Sequence, residues 1–190
     1  MPRANLTVAD VVSAAAGIAD RDGFDAVSVS AVARALGVQP ASLYSHVRDR
    51  AALLEGIHRL ALAELADRVG AAVAGRAGRD ALVALADTHR DLAAERPGMW
   101  TALQRAAAPD TVRSPEAARV ATLMLAVLRG YDLPESALVH ATRFVGATIN
   151  GYLALDRSGA YRGRDESADV SWQWTIDALD RALRSAILPA

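Results

Sequence analysis

The chain has 190 residues, 52% of them hydrophobic but only 5% aromatic, and a formal net charge of −1. It contains no cysteine, which excludes disulfides, thiolate zinc sites, iron–sulfur clusters and cysteine nucleophiles. The near-neutral charge argues against a protein that coats nucleic acid by bulk charge, and leaves room for a DNA reader with a small, locally basic surface.

All 21 basic residues are Arg, and Ala occurs 43 times. Ala, Leu and Arg favour helices, whereas sheets want β-branched and aromatic residues, so an all-α fold is expected. Thr7 can cap a first helix running to about Asp22, with Val8, Val11, Val12, Ala15, Ile18 and Ala19 on one face. Gly23 suits its end, and Phe24 reads as a core anchor. Ser28 opens a second, short helix that Gly37 ends. Pro40 is placed for the first turn of a third, reaching about His46. Asp49 caps a fourth, which is about 37 Å long if it runs to Val73. A fifth helix is expected over about 80–95, broken by Arg96-Pro97-Gly98, and a short sixth carries Met99, Trp100 and Leu103. Pro109-Asp110 ends that segment. Ser114-Pro115-Glu116 starts a seventh helix and Leu133-Pro134-Glu135 an eighth, stopped by Ser158-Gly159. A ninth covers about Ser167 to Leu188. This gives nine helices, three short ones in front and a larger bundle behind.

Residues 1–5 have no apolar run behind them, so they do not read as a signal peptide. The most apolar stretch, 120–128, is too short to span a bilayer. A soluble, cytoplasmic protein without membrane contact is expected. Four His, no Cys and no close His/Glu pair at metal spacing argue against a metal site, a cofactor and an enzyme.

The chemistry concentrates in residues 28–50. A short helix, Gly37, a tight turn and a second short helix make a helix-turn-helix. In that motif the second helix lies in the major groove of double-stranded DNA. Its outer face must be small or polar, which Gln39, Ala41, Ser42 and Ser45 satisfy, while Leu43 and Val47 point back into the core. Tyr44, His46, Arg48 and Arg50 can reach phosphates, and Tyr44 could equally be core. Helix N-terminal amides at Ser28 and Asp49 add phosphate donors. Residues 28–50 hold three Arg and one Asp, a net of +2. One copy would bind weakly, so a homodimer on a near-palindromic site is expected. His58, on the long helix, reads as a surface or interface residue.

The run from Leu36 to Val47 (LGVQPASLYSHV), followed by Asp49-Arg50 and Leu53-Leu54, resembles the DNA-binding region of the tetracycline-repressor (TetR) family. Ala14-Ala15-Ala16, Gly23-Phe24 and 28–33 agree in register. The family usually has Thr at Ser28, Lys at Arg50 and often Phe at Val47. The resemblance implies that Gln39, Pro40, Ala41, Ser42 and Ser45 form the base-facing helix and that Ser28, Tyr44, His46 and Arg50 hold phosphates. It divides the chain into a DNA-binding domain, 1–48, linked by the long helix 49–73, and a ligand-binding and dimerisation domain within 49–190.

Residues 143–156 resemble a C-terminal subgroup of the family, which commonly carries His where this chain has Asn150. The last two long helices are then candidates for the dimer seam, through Gly146, Ile149, Gly151, Tyr152, Trp172, Leu179 and Leu183. Trp172 and Trp174, two apart, cannot share a helix face, which places one in the core and the other at a partner surface. A pocket for a small hydrophobic ligand would be lined by Trp100, Leu103, Met124, His140, Arg143 and Phe144. Arg143 could serve as an anion anchor there or in a seam salt bridge. The implied function is a ligand-responsive dimeric repressor; a DNA-binding regulator without a ligand is the alternative.

Overall fold

The computed structural model describes residues 6–163 and 165–185. The described residues form ten α-helices and one 3-10 turn, and no strand. The helices are α1 (Val8–Asp22), α2 (Val29–Leu36), α3 (Pro40–Leu43), α4 (Arg50–Val73), α5 (Gly78–Glu95), α6 (Pro97–Leu103), α7 (Pro109–Val112), α8 (Pro115–Arg129), α9 (Glu135–Ser158) and α10 (Ala168–Arg184). The 3-10 turn, η1, is Phe24–Ala26. The all-α expectation holds, and the differences are local. α3 ends at Leu43 rather than near His46; beyond it the chain keeps turn hydrogen bonds, with the His46 and Val47 amides both 2.9 Å from the Leu43 carbonyl. The segment ended by Pro109-Asp110 gains one helical turn, because Pro109 sits at its first position and Val112 N–H reaches the Ala108 carbonyl. Residues 186–188, expected in the last helix, lie outside the described residues.

The chain packs as two units, one of residues up to Leu65 with Leu92–Arg119, the other of Ala66–Asp91 with residues from Val120 on. In the first, Val11, Ala15, Ala16, Val32, Leu43, Leu53 and Ile57 are sealed in one core that Met99 and Ala102 of α6 complete. α6 lies close on α1: a Cβ on Gly98 would stand 2.2 Å from the Ala19 carbonyl carbon. Asp20 ties the two helices. Its Oδ1 accepts from the Gly98 and Met99 amides at 2.9 and 3.1 Å, satisfying donors left open at the start of α6. Its Oδ2 accepts from Arg96, which also reaches Glu64.

In the second unit, Leu82, Leu128, Ile149, Leu153, Trp172 and Ile176 are fully buried. Several polar groups that this core encloses are paired, although the Thr142 hydroxyl is buried without a hydrogen-bond partner among the described residues. Trp172 Nε1 donates to Asp87 at 2.7 Å. Tyr131 OH and Arg184 Nε donate to the two oxygens of buried Asp180, at 2.8 and 2.9 Å. No described helix is long and apolar enough to cross a membrane.

Candidate nucleic-acid interface

α3 is positioned by the caps of the helix before it. Ser28 Oγ accepts from Ala31 N–H at 3.1 Å and starts α2. Gly37 ends it in the left-handed region, φ 67°. The amides of Gly37 and Val38 return to Arg34 and Ala33, which turns the chain sharply toward α3. Two residues then suffice to reach Pro40. Leu43 (0% exposed) and Val47 (5% exposed) anchor this short helix in the core. The opposite side carries Gln39, Pro40, Ala41, Ser42, Tyr44 and Ser45, all exposed, with His46 half-buried. Tyr44, open between core and surface on sequence, is 59% exposed. Ser45 Oγ donates to the Ser42 carbonyl at 2.9 Å, leaving its lone pairs to accept.

Arg50 is braced rather than free-swinging. Its Nε donates to the Val27 carbonyl at 2.7 Å and its Nη2 to the Asp25 carbonyl at 3.4 Å. This holds its cation beside the N-terminus of α2. Asp49 Oδ1 accepts from Ala52 N–H at 2.8 Å and caps α4. That bond, followed by Arg48, lowers the Asp49 pKa. A stripe of small polar groups on a rigid anchor, flanked by Arg48, Arg50 and two capped N-termini, is the arrangement a major-groove reader needs.

Residues 11–57 match bacterial regulatory proteins of the tetR family, and residues 82–179 match a tetracyclin repressor-like C-terminal domain. The chain belongs to the TetR family. It is therefore a transcriptional regulator and not an enzyme. The uncharacterized HTH-type transcriptional regulator YobS of Bacillus subtilis (strain 168) is 31% identical over 177 residues, 92% of this chain and 91% of its own. Among solved structures, a protein of unknown function from Rhodococcus sp. RHA1 matches with a TM-score of 0.80 at 21% identity, over 97% of this chain and 100% of the other. A TetR variant from Acinetobacter baumannii AYE, in complex with minocycline, matches with a TM-score of 0.67 at 22% identity, over 93% and 97%.

In this TetR-family chain the expected pocket residues are dispersed in burial. Trp100 and Met124 are buried and Leu103 half-buried, whereas His140, Arg143 and Phe144 lie on the exposed face of α9. The expected seam residues divide likewise. Ile149, Trp172, Leu179 and Leu183 fill the interior of their own unit. Tyr152 is half-buried, its ring centroid 5.1 Å from that of Trp172. Gly146 and Gly151 face open space, with nothing within 4 Å of a Cβ built on either. Trp174 is 67% exposed, the outward member of the tryptophan pair. His58, expected at the surface or an interface, is buried instead. Nothing in the sequence around it separates the two fates. Among the described residues no group of three or more His, Asp or Glu is placed to hold a metal.

Proposed function

We propose that the chain is a ligand-responsive, dimeric repressor that binds a near-palindromic operator. The observation that carries the reading is α3, short, anchored by Leu43 and presenting Gln39, Ala41, Ser42, Tyr44 and Ser45 outward. Gln39, Ala41, Ser42 and Ser45 face bases; Ser28, Tyr44, His46 and Arg50 hold phosphates. The local charge of +2 is too small for tight binding by one copy. Two copies joined rigidly, with reading helices about 34–36 Å apart, would occupy successive major grooves. The seam runs along the outer stripe of α9, where Phe144, Ala147, Gly151 and Leu155 recur at helical spacing, with Gly146 on the adjoining flank. Phe144 and Leu155 are 47% and 49% exposed there. The ligand is a small hydrophobic molecule that favours one arrangement of the dimer and releases DNA; the minocycline bound by the Acinetobacter protein supports control by a small molecule. In this division residues 1–48 read DNA, and residues within 49–190 bind the ligand and the second copy.

The test is to incubate the purified protein with sheared DNA from its source at moderate salt and sequence what it retains. Recovery of one or a few near-palindromic sites is expected. Retention of unselected DNA, or of none, overturns the reading.

A further inference from the structure

A cavity of about 230 Å³ opens within the first unit between η1, α4, α6 and α7. Its wall is mostly apolar, formed by Phe24, Leu54 and alanines of α4 and the α6–α7 segment. Three ionisable side chains also line it: Glu55, His58 and Arg105. His58 is only 9% exposed, yet its ring makes no hydrogen bond with any described residue. Its ring nitrogens are not sealed from solvent, so they stay open to an occupant of the cavity. Burial lowers its pKa, with Glu55 opposing, so the ring is neutral near pH 7, donor at one nitrogen and acceptor at the other. Arg105 lies over the Phe24 ring, its guanidinium carbon 5.1 Å from the centroid, with no described hydrogen bond or ion-pair partner. Glu55 is already engaged, its Oε1 accepting from Thr111 Oγ1 at 3.2 Å.

We propose that this cavity binds a small monocarboxylate with an apolar body, the carboxylate on Arg105 and His58 and the body against Phe24 and Leu54. Arg105 and His58 can both donate and have no described hydrogen-bond partner there. A carboxylate supplies the acceptors they lack and offsets the Arg105 charge, whereas a cation would meet the Arg105 guanidinium. Glu55 keeps its charge and lies on the Thr111 side. The volume lies below the roughly 300–1,000 Å³ typical of drug-sized pockets, which limits the body to about one ring or a short chain. The cavity touches η1, which leads into α2, and α6, which packs on α1. An occupant would thus bear on the elements that carry the reading helix. That consequence rests on the regulator reading above; the site does not.

The test is calorimetric titration of the full chain, without DNA, with benzoate, hexanoate and benzylamine. Saturable binding of benzoate or hexanoate, and none of benzylamine, is expected. Arg105→Gln, an exposed change that leaves the core intact, should weaken carboxylate binding about tenfold or more. His58→Phe should do the same while keeping the wall filled. The proposal is overturned if neither carboxylate saturates at millimolar concentration, if binding survives both substitutions, or if benzylamine binds and Glu55→Gln removes it. No DNA is present, so failure here is distinct from failure to select an operator.

Discussion

Leu43 and Tyr44 are neighbours with opposite fates, one fully buried and one 59% exposed. The contrast sets what each substitution should do. Gln39→Ala removes a side chain that packs on nothing, so the thermal midpoint should stay put. Operator affinity should fall by about 1–3 kcal/mol, with relaxed preference at one base position, read by competition against operator variants. Gly98 behaves in the reverse way. A methyl there meets the Ala19 backbone at 2.2 Å, and backbone cannot step aside as a side-chain tip can. Gly98→Ala should cost about 1–3 kcal/mol of stability, read by thermal unfolding, without touching any DNA-facing group.

Helices in this chain start and stop where local chemistry tells them to. Ser28 caps α2 and also stands where the family places a phosphate contact, so one substitution tests two roles. Ser28→Ala should cost about 1 kcal/mol of stability through the lost cap, and Ser28→Thr should restore it. If Ser28 also holds a phosphate, the alanine variant should bind the operator more weakly even at temperatures where it is fully folded. The elements that sequence reading missed are those with least local signal. η1 and α7 are single turns, and α3 loses its last turn to isolated turn hydrogen bonds. In pieces this short, the few backbone bonds are decided by where the flanking chain is anchored, not by periodicity.

Two properties belong to the assembled protein. The first is the proposed pairing of copies. Leu155→Glu would set a charge on the proposed seam at a side chain 49% exposed, and should leave the monomer folded. Sedimentation should show a shift toward monomer, and operator binding should weaken far more than any single base contact would. The second is pH. Burial lowers the pKa of His89, whose Nδ1 lies 2.8 Å from the Leu85 carbonyl, and lowers that of His58 in the same direction. The unfolded chain takes up protons near the ordinary histidine value of about 6.5, the folded chain only below it. Stability is therefore full above pH 6.5 and is lost as pH falls through the lower folded values. The thermal midpoint should drop between about pH 7 and 5, and His89→Gln should flatten part of that slope.

The helix-turn-helix was legible from the order of residues because it depends on short-range chemistry. Ser28 as a cap, Gly37 at positive φ, Pro40 at a first turn and the Leu43/Val47 spacing all act within a few residues. The all-α class and the outward turn of one of two tryptophans followed from composition and helical period in the same way. Burial across the bundle did not follow, because it depends on which helix faces which. Ile149, Leu179 and Leu183 have the apolar character of a seam but are spent inside their own unit. His140, Arg143 and Phe144 sit four or fewer residues apart and share an exposed face of α9. His58 and Arg105, far apart in the chain, line one cavity that no local pattern announces. The cavity was fixed only when η1, α4, α6 and α7 packed, and the burial of α9 and α10 residues only when their own unit did, since a side chain's surroundings are set by distant segments that close around it.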